Sequence, residues 1–307
     1  MNKSISIGKE QGGINEDAVK STQELIAVSD GAGGGGVFAE KWSRYLLEKL
    51  PNSPIATADE LDAWLETIWE EYYNAQEEEA KQLNPMLLDK FYDEGSFATL
   101  AALWRVSPQA CQWMSFGDSV VFHYHRKTKK LEHSFSQLSD FNNSPYLLSC
   151  KDELQKQGFR SGAFAIDADS VLLMASDALA HYILMMYAVY HPEEYREDLQ
   201  AVQAQLSKNS NLVRTAMAGN RSQGFEKEVI DALIANAESE SRFKSYLEDL
   251  HRKGLLAIDD YSLAVMTAQE VSSKRHSLTL KLQNTYRRPR RDIRKYSLKR
   301  EYWKIFL

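Results

Sequence analysis

Between Gly95 and about His133 four runs rich in apolar and aromatic residues follow one another: Ser96–Val106, Ala110–Phe116, Ser119–His125 and Leu131–Phe135. The turns between them are too short to hold a crossover helix, so neighbouring strands must run antiparallel, and the pattern predicts a meander. Ser4–Ile7, Glu24–Ser29, Val171–Ala175, Tyr261–Thr267 and Ser277–Leu282 read as further strands. Within the second of these, Leu25-Ile26-Ala27-Val28 is apolar throughout, which predicts burial on both faces.

Helices alternate with these strands. One is predicted from Val37 to Leu50, stopping before Pro51. Thr57-Ala58-Asp59-Glu60 is a capping-box pattern, after which Leu61, Trp64, Leu65, Ile68, Trp69 and Tyr72 recur at helical spacing to about Gln82. Helices dominate again from Leu179 to about Lys253, and residues 136–168 read as irregular. The expected fold class is α+β. A main domain is expected over residues 1–270, with a helical elaboration at about 179–253 and a C-terminal extension over 271–307.

With 43% hydrophobic and 26% charged residues, the chain has the balance of a soluble globular protein. Its charge is unevenly spread: 286–307 holds nine basic residues against two acids, so a total of −6 divides into +7 there and −13 elsewhere. An acidic body repels nucleic acid and suits cations. The extension also carries Tyr296, Tyr302, Trp303, Ile305, Phe306 and Leu307, which favours docking on the acidic body or a partner over pure disorder. Cys111 and Cys150 form no Cys-x-x-Cys motif and no disulfide framework, so a reducing, cytoplasmic compartment is expected. The N-terminus lacks the apolar stretch of a signal peptide. The most membrane-like segment, Val171–Tyr190, carries Asp177 and His181 near its middle, so it is read as a buried strand, a turn and a helix.

Acids recur at strand ends: Glu16-Asp17, Asp30-Gly31, Asp118 within Gly117-Asp118-Ser119, Asp177, and Asp259-Asp260. One such aspartate is ordinarily a turn residue. Several together can converge on one place, and hard divalent cations take oxygen ligands. That makes a cation site plausible without naming its chemistry.

The order and setting of these acids resemble the type-2C, metal-dependent serine/threonine protein phosphatases. The matching pieces are Asn15-Glu16-Asp17-Ala18, Val28-Ser29-Asp30-Gly31-Ala32-Gly33-Gly34, Gly95-Ser96-Phe97-Ala98-Thr99, Phe116-Gly117-Asp118-Ser119, Ala175-Ser176-Asp177 and Asp259-Asp260-Tyr261-Ser262-Leu263. The resemblance spans roughly residues 4–268 and implies a four-layer α/β/β/α sandwich of two antiparallel sheets flanked by helices. It implies hydrolysis of phosphoserine or phosphothreonine on proteins by a hydroxide bridging two Mn2+ or Mg2+ ions. Asp30 would bridge both ions, Glu16 and the Gly31 carbonyl would hold one, and Asp177 and Asp259 the other. Asp17 would orient water, and Asp118 with Asp177 would hold a third, weaker ion. Implied partners are a phosphoprotein substrate and a cognate kinase, with a monomer expected and no nucleic acid. The family's phosphate-gripping Arg is Gly12 here, for which Lys9 or Arg44 would substitute, and the His after Asp-Gly is Ala32. The alternative reading is a catalytically weak or inactive phosphatase-like module that binds a phosphoprotein.

Other signals are weaker. Gly31-x-Gly33-x-x-Gly36 formally matches a dinucleotide fingerprint, but Asp30 would meet the pyrophosphate with like charge. His123 and His125 lie two apart on a presumed strand and read as a half-exposed strand face rather than as ligands.

Overall fold

The apolar runs become strands because alternate side chains enter two different cores. The computed structural model describes residues 2–10, 12–34, 36–205, 207–219 and 222–267. The strands are β1 (Lys3–Ile7), β2 (Ala18–Ser21), β3 (Leu25–Ser29), β4 (Phe97–Ala98), β5 (Leu100–Ser107), β6 (Ala110–Phe116), β7 (Val120–His125), β8 (Lys130–His133), β9 (Leu148–Ser149), β10 (Phe159–Ala165), β11 (Ser170–Ala175) and β12 (Tyr261–Thr267). One antiparallel sheet has the order β1-β12-β11-β7-β8, the other β10-β6-β5-β3-β2, and β4 pairs with β9. Between the two large sheets lie Ile26, Val28, Ala101, Leu103, Leu172, Met174, Ala264 and Met266. Their chain neighbours Leu25, Ala27, Leu100 and Ala102, and likewise Leu173 and Val265, point outward to the helices. Both faces of each strand are therefore apolar, which is why Leu25–Val28 shows no polar alternation.

The helices form the two outer layers. On the second sheet lie α1 (Ala39–Lys49), α2 (Ala58–Leu83) and α3 (Pro85–Glu94). The Thr57 capping box is complete: its hydroxyl accepts from the Glu60 N–H, and the Glu60 carboxylate accepts from the Ala56 N–H. On the first sheet lie α4 (Asp177–Tyr190), α5 (Arg196–Ala204), α6 (Lys208–Ala218), α7 (Ala232–Asn236) and α8 (Glu240–Arg252). Buried residues continue around α4 from Ala178 to Val189 because the sheet lies on one side of it and the following helices on the other. The membrane-like composition of 171–190 thus reflects burial in protein, and among the described residues no helix is long and apolar enough to cross a membrane.

The expected meander is corrected. The pairs β5–β6 and β7–β8 are hairpins in different sheets, and the chain crosses between sheets at Gly117-Asp118-Ser119. Gly117 makes this possible: its φ is +96°, and a Cβ there would lie 2.7 Å from Thr99 Cγ2 and 2.8 Å from the Tyr146 carbonyl oxygen. Strand β10 lies in the stretch read as irregular, where Gly162 breaks the apolar pattern; a Cβ there would sit 2.6 Å from the Trp113 ring. The first helix begins at Ala39 rather than Val37, because Phe38 takes a left-handed conformation at the cap. Both partners of β3 run antiparallel to it, so Gly31–Gly36 does not belong to a βαβ dinucleotide fold. The expected strand Ser277–Leu282 and the basic extension lie outside the described residues.

Candidate functional site

Strand register brings the acids to one end of the sandwich. Ile7 pairs with Tyr261, which sets the loop after β1 beside Asp259 and Asp260. Ala175 pairs with both Leu263 and Val120, so Asp177, just beyond β11, lies beside the strand that Asp118 precedes. Ala18 pairs with Ser29, which places Asp17 and Asp30 across one strand pair. Each acid is thus delivered by a strand end, the rigid part of the fold nearest a loop.

A buried polar network holds the turns. The Asp30 N–H donates to Thr99 Oγ1 (3.1 Å), whose hydroxyl lies 2.7 Å from Ser119 Oγ. The Ser29 hydroxyl donates to the Thr99 carbonyl (2.7 Å), and the Thr99 N–H donates to the Asp30 carbonyl (2.8 Å). Thr99 therefore ties the Asp30 turn to the Asp118 crossover. On the other sheet, the Ser262 N–H donates to Ser176 Oγ (2.9 Å), joining the turn of Asp177 to that of Asp259. Asp260 is 3% exposed and clamps the loop after β1, its two oxygens accepting from the Lys9 and Glu16 N–H groups at 2.7 Å each.

The charges crowd one another. Asp17 is buried, and neither of its oxygens makes a hydrogen bond of normal geometry. Burial pushes its pKa up to about 7, while the nearby Ser176 and Ser262 hydroxyls pull the other way. Asp30 is held well above the usual carboxylate range, first by burial and then by the charges of Asp17, Asp177, Asp118 and Asp259. Asp177 is raised by burial and by Asp118, Asp259 and Asp17. Burial pushes Asp118 up to about 6, opposed by the Arg160 guanidinium. Glu16 is raised by burial against the pull of Lys9. A Cβ at Gly33 would lie 1.8 Å from Glu16 Oε1, so a side chain there would push that carboxylate aside.

The sequence-expected residues fall as follows. Asp17, Asp30, Asp118, Asp177 and Asp259 share one electrostatic cluster, and Glu16 is linked to it through Asp260. Gly31 bridges to Ala98 at its rim. The Lys9 ammonium lies 3.8 Å from Glu16 Oε2 and 3.6 Å from Asp259 Oδ1, between two of the expected ligands. Arg44 donates to the Asn15 carbonyl (2.7 Å) and the Glu40 carbonyl (2.9 Å), bracing the turn that carries Glu16. The ligand atoms of the clustered acids do not form a group of three within 4.8 Å of one another. Among the described residues, the trio of ligand atoms lying within 4.8 Å of one another is His125, Asp167 and Asp169, at the opposite ends of β7 and β11. His123 is not half-exposed as expected; it is 4% exposed and lies within 2.9 Å of Ser170 Oγ. A concavity of about 450 Å³, lined by Tyr124, Lys129, His191 and Phe225, lies on the helical side and is not lined by the acidic cluster.

Sequence reasoning assigned no role to Thr99, Ser119, Ser176, Ser262, Asp260 or Arg160. All but Arg160 stand in the quoted motifs, and that adjacency was the available signal. Arg160 lies in a stretch without a strand pattern and carried none.

No family model matches the sequence, and no curated protein matches it. Solved bacterial serine/threonine phosphatases are similar in fold. Stp1 from Staphylococcus aureus is 13% identical with a TM-score of 0.47, over 88% of this chain and 95% of that one. The catalytic domain of PstP, solved with two manganese ions, is 16% identical with a TM-score of 0.48, over 86% and 96%. PppA from Pseudomonas aeruginosa, described as a regulatory component of its T6SS, is 15% identical with a TM-score of 0.45, over 86% and 96%. At this level the likeness concerns fold alone.

Proposed function

We propose that the chain is a metal-dependent phosphatase acting on phosphoserine or phosphothreonine in proteins. The observation that carries this reading is the set of mutually repelling, deeply seated carboxylates around Asp30, with Asp17 buried among them. Desolvated like charges are costly, and divalent cations with oxygen preference would relieve the cost. In this proposal Glu16, Asp30 and the Gly31 carbonyl hold one Mn2+ or Mg2+ ion and Asp30, Asp177 and Asp259 a second, with Asp118 and Asp177 available to a third. When bound, the ions supply a water of lowered pKa and neutralise charge on the phosphoryl oxygens. Asp17 offers two acceptor oxygens that orient a water beside Asp30. Thr99 ties the turn of Asp30 to that of Asp118, and Ser176 ties the turn of Asp177 to that of Asp259. In the net reaction a water oxygen joins phosphorus, the ester P–O bond breaks, and the leaving alkoxide receives a proton.

The deciding experiment is para-nitrophenyl phosphate hydrolysis with manganese, magnesium or chelator. The expected outcome is turnover that requires the metal. Folded protein without turnover under any metal would instead favour a module that binds phosphoproteins. The proposal includes a reducing, cytoplasmic setting, supported by the two buried free thiols Cys111 and Cys150.

Gly33→Ala provides a second check. Its methyl group would displace the Glu16 carboxylate, so manganese affinity in a calorimetric titration is expected to fall by roughly 10- to 100-fold, the usual range for disturbing the support of a metal ligand. Unchanged affinity would remove Glu16 from the ligand set.

A further inference from the structure

We propose that Arg160 is the side chain that grips the phosphoryl oxygens, in place of the arginine absent at Gly12. The inference rests on the phosphatase reading and adds a residue to it. Arg160 lies on β10 opposite Ser115 of β6, and Phe159 lies opposite Phe116. Since Asp118 follows β6 directly, this register sets Arg160 at the end of the sandwich where the acids converge. Asp118 and Asp140 are the carboxylates whose charge it feels. Among the described residues no carboxylate pairs with it at ion-pair distance; its Nη1 donates to the Ser134 carbonyl at 3.3 Å. A guanidinium has five donors, and one neutral acceptor leaves most of them free for an anion.

The guanidinium is also held in place. It lies over the Phe135 ring, 5.0 Å from the centroid, and Phe135 packs on Phe141 at 4.2 Å. Phe141 belongs to the turn Leu138–Asn142, whose first N–H groups, those of Leu138 and Ser139, donate to Asp198 of α5 at 2.7 and 3.1 Å. The helical elaboration thus anchors the platform on which Arg160 rests. The two expected phosphate ligands, Lys9 and Arg44, are engaged. Lys9 faces Glu16 and Asp259, and Arg44 is spent on two backbone carbonyls. A planar fork matched to phosphate, seated on an aromatic platform beside a cation site, fits an anion clamp.

The test compares wild type, Arg160→Gln and Arg160→Lys, each with manganese. The measurements are KM and kcat for para-nitrophenyl phosphate, the inhibition constant of inorganic phosphate, and manganese affinity. In Arg160→Gln, KM and the phosphate inhibition constant are expected to rise by roughly 10- to 100-fold, the range for losing charge-assisted hydrogen bonds. Manganese affinity should be unchanged and kcat within about threefold, with Arg160→Lys intermediate. Constants within twofold of wild type in both variants would overturn the proposal. So would a parallel loss of kcat, manganese affinity and thermal stability that lysine does not rescue, which marks a structural role. If wild type shows no turnover, the functional reading fails by itself. Calorimetry of inorganic phosphate with manganese-loaded protein then decides on Arg160: binding lost in Arg160→Gln sustains the clamp, and equal binding or none in wild type overturns it.

Discussion

Asp30→Asn is expected to abolish metal-dependent turnover and, in the same protein, to raise the stability of the metal-free state. Both effects have one cause. Asp30 is crowded by Asp17, Asp177, Asp118 and Asp259, and burial alone already disfavours its charge. An amide of the same shape keeps the packing and removes one repelling charge. Replacing a buried, uncompensated charge in this way is expected to stabilise by about 1–3 kcal/mol. The backbone bonds between Asp30 and Thr99 do not involve the side chain and survive. With cations present the sign reverses, because the side chain central to the cluster no longer offers a charged oxygen to them. Losing several kcal/mol of transition-state charge stabilisation corresponds to a fall of about 10³-fold or more in rate. The checks are chemical denaturation in chelator and initial rates with manganese. A variant less stable than wild type without metal would show that the Asp30 charge is compensated within the protein. A variant with near-normal rates would remove Asp30 from the centre of the chemistry.

Much of this arrangement was legible in the sequence, and the illegible part has physical reasons. Strand runs such as Leu25–Val28 and Val171–Ala175 could be read because both their faces are buried, and apolarity without alternation survives any choice of partner. Partner choice itself was not legible. The short turn at Gly117-Asp118-Ser119 looks like any hairpin turn, yet it changes sheets, because what separates the cases is a φ of +96° and the close approach of Thr99. Strand β10 was hidden by Gly162, whose missing side chain makes room for Trp113, a reason that exists only in three dimensions. At the site, the acids were legible as a pattern and their division of labour was not. Asp259 and Asp260 are adjacent and alike in sequence, but Asp260 faces inward to bind two N–H groups while Asp259 faces Lys9. Both precede the first residue of β12, and no local signal says which way each goes. The expected phosphate ligands are Lys9, near the first acidic motif in sequence, and Arg44, on the first helix. Strand pairing also brings Arg160 to this end, from far along the chain.

The same crowding sets the pH response of the metal-free protein. A carboxyl whose folded pKa is raised above its unfolded value binds protons more tightly when folded, so its contribution to stability is fully present at low pH and is lost as pH rises through the folded pKa. Asp17, raised to about 7, and Asp118, raised to about 6, act in this direction, as do Asp30, Asp177 and Glu16. Buried histidines oppose them at lower pH. His181 is depressed to about 4 by burial, and His123 and His133 are also lowered, so these residues cost stability as pH falls below their unfolded values. Between about pH 6.5 and 8 the histidines of the unfolded chain lose their remaining protons, which adds stability as pH rises, so the carboxyl contribution is read as the difference between wild type and Asp17→Asn, in which the histidines cancel. Over that range in chelator, wild type is expected to lose about 1 kcal/mol relative to Asp17→Asn. For a domain of this size that lowers the wild-type Tm relative to the variant by about 2–4 °C. Manganese or magnesium should reverse the trend, since cations compete with protons for the same oxygens and bind more tightly as pH rises. Thermal melts across this range, with chelator and with manganese, supply the check. A wild-type Tm that does not fall relative to Asp17→Asn over this range in chelator would mean that the acids at the strand ends are not strained by one another, and the argument for a cation site between them would go with it.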